Sequence, residues 1–220
     1  MNDQVARYLS ALFHPLMMPT LLFSILFFFA PESIQNLDLL NEGSQVDLFG
    51  LKIPIKIGLI LLIFNFTFVL PSYLIYVLYR FGAIKSLQME TLADRRQPYL
   101  VTTLVYTLLC LFFALRLRQL PDVTLILMSI TLCIGLVTII SLYWKISAHS
   151  VGISGVLGAL LGIAAKMGAS GLFIPMILMV ILTGFLTSAR LHLNAHTPQQ
   201  ILAGLALGLV VSLTTVYFFV

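Results

Sequence analysis

Charge is what this chain has least of. Asp, Glu, Lys and Arg make up 9% of its 220 residues, hydrophobic residues make up 60%, and mean hydropathy is +1.07. A soluble domain of this length needs far more charge to cover its surface, so the bilayer is the solvent. The twelve Lys and Arg are scattered over short links, with no basic stripe interleaved by aromatics. That excludes a nucleic-acid surface, and no nucleic-acid partner is expected. Cysteine is nearly absent. Cys110 and Cys133 both fall inside apolar runs, which makes them small buried hydrophobes rather than a disulfide or a metal site. There is no acidic metal-ligand cluster, so neither a metal nor another cofactor is expected. There is no ten-residue dyad pattern, which excludes a membrane barrel. Nor is there a repeat of broken helices around a midplane ionisable group, which weakens a transporter reading. The first apolar run ends at Ala30–Pro31 without a small-x-small cleavage site, so it reads as a retained helix.

What is present is apolar length. A helical crossing takes about 20 apolar residues, and seven runs approach that size: 11–30, 55–79, 99–115, 121–143, 150–165, 171–188 and 200–220. The expected fold is all-α, a polytopic transmembrane bundle of six to seven helices forming one domain over 1–220. Pro19, Pro71 and Pro175 lie within runs and predict kinks. Gly152, Gly155, Gly158 and Gly162, at three- and four-residue steps, predict one face for close helix approach. Tyr143 and Trp144 read as an interfacial belt. The longest polar link is 31–54; the sequence carries no signal for oligomeric state.

Parity then sorts the links. If all seven runs cross, loops 80–98, 144–149 and 189–199 share one face with the N-terminus. That face receives Lys85, Glu90, Asp94, Arg95, Arg96, Lys145, His149, Arg190, His192 and His196. Guanidinium forks beside imidazoles suit a phosphate: arginine binds its oxygens in pairs, and imidazole attacks or protonates. A phosphate site level with helix ends and beside lipid meets a headgroup whose tail stays in the bilayer. The expected partners are therefore membrane lipids and an amphiphilic phosphate or diphosphate. Seven Lys and Arg on this face against five on the other favour a cytoplasmic site by a small margin.

The spacing itself resembles the type 2 phosphatidic acid phosphatase family over about residues 85–210. The family's third motif, Ser-Arg, five residues, His, three residues, Asp, is matched by Ala189-Arg190, "LHLNA", His196, "TPQ" and Gln200. Its second, Pro-Ser-Gly-His, is similar to Ile146-Ser147-Ala148-His149, and its first, Lys, six residues, Arg-Pro, to Arg95-Arg96-Gln97-Pro98. The resemblance implies a metal-independent lipid phosphatase core working through a phosphohistidine in the bacterial inner membrane, although relatives often work on its outer side. His196 would be the nucleophile and His149 the proton donor. Arg190, Arg96, Arg95, Lys145 and Ser147 would hold the phosphoryl oxygens.

The departures are specific. With Arg96 as the motif arginine, the lysine position is Met89, and Lys85 lies one turn further back. Ile146 and Ala148 replace Pro and Gly. Gln200 replaces the aspartate that would orient His196; its amide oxygen still accepts one hydrogen bond without supplying charge. Either another carboxylate substitutes, Asp94 or Glu90 being nearest, or phosphatase activity is weak or absent. His192 reads as pocket-lining or interfacial. His14 reads as an interfacial anchor within reach of the headgroup pocket. Two functions stay open: a phosphohydrolase of lipid phosphate or prenyl diphosphate, and a non-hydrolytic descendant that binds a lipid phosphate or converts a prenyl diphosphate by other chemistry.

Overall fold

A computed structural model of the chain describes residues 1–37, 45–48, 51–89, 91–168 and 170–220. The protein is an all-α polytopic bundle. Among the described residues, seven helical segments are long and apolar enough to cross a membrane, as an integral membrane protein requires. The order is α1 (Asp3–Leu12), α2 (Met18–Phe29), α3 (Ile55–Phe64), α4 (Leu70–Arg80), α5 (Leu92–Arg116), α6 (Pro121–Ile140), α7 (Ala148–Met167), α8 (Phe173–His192) and α9 (Pro198–Phe219). A short antiparallel hairpin, β1 (Gln45–Leu48) and β2 (Leu51–Pro54), occupies the long link before α3.

The first span departs from the sequence expectation. Residues 3–12 form a helix of their own, capped by Asn2, whose Oδ1 accepts from the Gln4 N–H at 3.0 Å. Met1, Val5, Tyr8 and Leu12 are exposed along one face, while Ala6 and Ser10 are buried on the other. Asp3 and Arg7 interrupt a charge-free run, yet the spacing of the apolar residues is helical. The helix stops because Pro15 confines His14 to extended backbone, ψ 141°. A 3₁₀ turn over Pro15–Met17 then leads into α2.

α3 and α4 form one span joined by a π turn over Asn65–Val69. Pro71 lacks the N–H that would bond the Thr67 carbonyl one turn back. The Tyr106 hydroxyl of α5 supplies it instead, donating at 2.9 Å. Apolar packing centres on α2, whose Leu22, Phe23, Leu26 and Phe27 are buried with Phe113, Ile126 and Ile153.

The closest helix pair is α7 with α9. A Cβ at Gly158 would lie 2.6 Å from the Leu209 carbonyl oxygen, and one at Gly208 would collide with that of Val151. Gly155 and Gly162 face α9 too, but Gly152 meets Met18 of α2, 2.9 Å from its Cγ. The four glycines therefore do not share a face. Each three-residue step falls ~60° short of a full turn, and Gly152 drifts onto the neighbouring surface.

Because the spans alternate in direction, α5, α7 and α9 begin at the same end of the bundle, where α4, α6 and α8 finish. Of the boundaries that move relative to the sequence runs, two carry arginines. α5 starts at Leu92 instead of 99, and α8 extends through His192. Arg95, Arg96 and Arg190 thus sit on helices.

Candidate functional site

Three side-chain caps build this end. Thr91 Oγ1 accepts from the Asp94 N–H at 3.2 Å and starts α5. Ser147 Oγ accepts from the Ser150 N–H at 3.3 Å and starts α7. Thr197 Oγ1 accepts from the Gln200 N–H at 3.4 Å, and Gln200 Oε1 reciprocates from the Thr197 N–H at 3.2 Å. This capping box, with Pro198 in the first turn, starts α9. Three helix N-termini, each carrying partial positive charge, meet at this end.

Between them lies a cavity of about 580 Å³ lined by Arg7, His14, Arg95, Lys145, His149 and Arg190. A smaller lobe of about 130 Å³ shares His14, Arg95, His149 and Arg190 and adds Tyr99 and His196. No Asp or Glu lines either lobe among the described residues. Arg95 is buried; its Nε donates to the Met89 carbonyl at 2.8 Å and its Nη1 to that of Ile146 at 3.2 Å. Arg190 is half-buried, and its Nε–H has no hydrogen-bond partner. Gathered cations with an unmet N–H, and no carboxylate among the described lining residues, are chemically suited to an anion.

The histidine tautomers follow from their partners. Gln200 Oε1 is fixed as an oxygen by the Thr197 N–H, which can only donate, and it lies 3.1 Å from His196 Nδ1. The His196 proton is therefore on Nδ1, and Nε2 keeps its lone pair. Burial first, then the Arg95 and Arg190 charges, push the His196 pKa down to about 3, so the ring is neutral at ordinary pH. His14 Nδ1 accepts from the Leu16 N–H at 3.3 Å, and its ring lies edge-on to His149 at 5.8 Å. His149 Nε2 lies 3.0 Å from the Ser10 carbonyl oxygen, so it carries the proton and donates it to α1. The ring expected to protonate a leaving group is thus engaged by the N-terminal helix.

Arg190, His149, His196, Arg95, Lys145 and His14 are brought together. Other expected residues are not. Arg95 and Arg96 are consecutive on α5, about 100° apart, so only one can face the cavity. That one is Arg95. Arg96 is exposed, with its Nη2 3.4 Å from the Leu142 carbonyl oxygen. Lys85 is also exposed and lines neither lobe. Asp94 does not reach His196 as a substitute carboxylate. It accepts from the Lys85 N–H at 3.2 Å and the Thr91 hydroxyl at 2.6 Å, tying the 85–91 loop to α5. Glu90 lies outside the described residues. Ser147 is fully buried as the α7 cap, accepts from the Ser150 hydroxyl at 2.9 Å, and does not line the cavity. His192 is at the rim, 2.8 Å from Asp3 Oδ1, and fastens α1 to the end of α8.

Arg7, Gln88 and Tyr99 line the site without having been singled out by spacing. Of these, Arg7 had a usable signal: the 3–12 stretch is amphipathic, and its polar face had to meet something polar. Gln88 and Tyr99 had none, because each arrives through the local path of one loop or one helix turn.

No protein-family model, no curated protein and no solved structure matches the chain.

Proposed function

We propose that this cavity binds the phosphate or diphosphate headgroup of a membrane amphiphile and hydrolyses it through His196, in the manner of the type 2 phosphatidic acid phosphatases that the sequence resembles. One observation carries the reading: the Nε–H of Arg190 is unmet in a cavity lined by arginines and, among the described residues, by no carboxylate, with a neutral histidine beside it. Phosphoryl transfer depends chiefly on positioning and charge stabilisation. Arg190, Arg95, Arg7 and Lys145 would hold the nonbridging oxygens. His196 Nε2 would attack phosphorus as the bond to the leaving oxygen breaks, with Gln200 holding the ring by its Nδ1–H. The leaving oxygen would take a proton from His149 in its imidazolium form, with the ring released from the Ser10 carbonyl. The neutral His149 would then take a proton from the water that attacks the phosphohistidine, releasing orthophosphate and restoring both histidines.

The test is phosphate release from phosphatidate, lysophosphatidate and a polyprenyl diphosphate by the full chain in detergent, with and without EDTA. Release that survives EDTA and disappears in His196→Ala is expected. Undiminished release in that variant ends the reading.

A second reading rests on Gln200 and on the bond from His149 to Ser10. Without a carboxylate behind the nucleophile, the site would bind a lipid phosphate, or convert a prenyl diphosphate by another chemistry. Gln200→Asp separates the two: a large gain in phosphate release supports a hydrolase site, and no gain supports the second reading. On either reading the placement expected is the bacterial inner membrane.

A further inference from the structure

Beneath the cation cavity lies an apolar slot of about 70 Å³ between α2, α6, α7 and α9. Pro15, Leu16, Ile134 and Ala148 line both this slot and the 130 Å³ lobe that holds His196, so the two are neighbours across these residues. From Ala148 to Val156 along α7, and from Pro15 to Leu22 along α2, its walls run away from the site into the membrane. Eight residues of helix correspond to about 12 Å of depth. The walls are almost entirely hydrocarbon: Val137, Ile130, Met18 and Val151 face inward. Of the polar groups there, the Tyr106 hydroxyl is already bonded to the Thr67 carbonyl, and Ser212 Oγ lies 3.7 Å from Cys133 Sγ. Close-packed interiors leave few voids of this size, and an apolar void stays dry and takes apolar guests.

We infer that the slot receives the single apolar chain of the amphiphile whose headgroup sits in the cavity above, making single-chain phosphates and prenyl phosphates, not two-chain phosphatidate, the preferred ligands. The inference rests on the anion reading of the cavity. Volume decides the chain number. A water needs roughly 10–15 Å³ of such space, so 70 Å³ has room for one slender chain and not for two. The α5–α6 groove is the contrasting surface. Leu111, Met128 and Leu132, exposed to lipid, line a space of about 480 Å³ that shares no residue with the cation cavity.

The probe is dodecylphosphonate carrying a diazirine at its terminal carbon, whose C–P bond cannot be hydrolysed, applied to the full chain in nanodiscs and mapped by mass spectrometry. Labelling of Leu22, Cys133 or Val156 that orthovanadate displaces is expected. Cys133→Phe should cut that labelling at least tenfold while leaving orthovanadate stabilisation unchanged. A dialkyl phosphate should compete at least tenfold less well than dodecyl phosphate. Labelling confined to Leu111, Met128 or Leu132, in protein that orthovanadate still stabilises, overturns the slot and leaves the anion reading standing. Slot labelling that orthovanadate does not displace overturns the link between slot and cavity. Failure of both orthovanadate and the probe to bind overturns both readings.

Discussion

The two ends of the bundle handle buried polar groups in opposite ways. At the end away from the cavity, Asp122 is buried in the first turn of α6, and its Oδ2 accepts from the Gln35 N–H at 2.7 Å. Beside it, Asn36 Nδ2 donates to the Gln119 carbonyl at 2.8 Å. The 31–37 link is thereby fastened across the α5–α6 turn, with donors matched to acceptors. At the cavity end the charged residues lining the cavity are all cationic among the described residues, the Arg190 Nε–H is unmet, and α1 is held by the Asp3–His192 pair and the His149–Ser10 bond. One end satisfies its polar groups and is a closure. The other leaves the Arg190 N–H without a protein partner and is the candidate site.

Breaking the closed end should have the largest effect. Asp122→Ala strands the Gln35 N–H and should cost about 2–3 kcal/mol, read as thermal unfolding in detergent, with orthovanadate stabilisation retained. Unchanged unfolding would mean the closure carries no stability. Acid should act on the open end next. The folded cavity refuses a proton at His196 until about pH 3, whereas the unfolded chain takes it up near 6.5. The unfolded state therefore binds more protons between those values, and stability falls as pH is lowered through that window. At pH 5 the penalty from His196 should be about 1–2 kcal/mol, and His196→Asn should reduce the pH dependence by that share. An identical pH dependence in that variant would place the titration elsewhere. The smallest effect comes from deleting the unmet cation. Arg190→Met should leave stability unchanged or raise it by up to about 1 kcal/mol, while abolishing stabilisation by orthovanadate. A marked loss of stability would make Arg190 structural.

Much of this contrast was legible in one dimension. Apolar runs located the seven spans, and parity placed Arg190, His149 and His196 at one end, because the bilayer makes run length and alternation nearly binding. Local cap chemistry was the main source of error. Thr91 starts α5 seven residues before its apolar run, which decided that Arg95 and not Arg96 enters the cavity. Ser147 was assigned to the headgroup but is consumed in capping α7. α1 lies outside the charge-free runs because it is amphipathic, carrying Asp3 and Arg7. Gln200 kept the orienting hydrogen bond expected of it and also caps α9, a second duty visible only once Thr197 is seen at the cap.

Composition and the spacing of apolar, cationic and imidazole residues were enough to determine a membrane-spanning helical bundle with its cationic chemistry gathered at one end. Those properties follow from solvent exclusion and helix period, which act residue by residue. Tertiary structure alone decided which arginine turns inward, which imidazole nitrogen keeps its lone pair, that α1 roofs the cavity, and that an apolar slot opens below it. Each of these depends on distances between segments far apart in the chain, and a gap between helices belongs to no residue in particular.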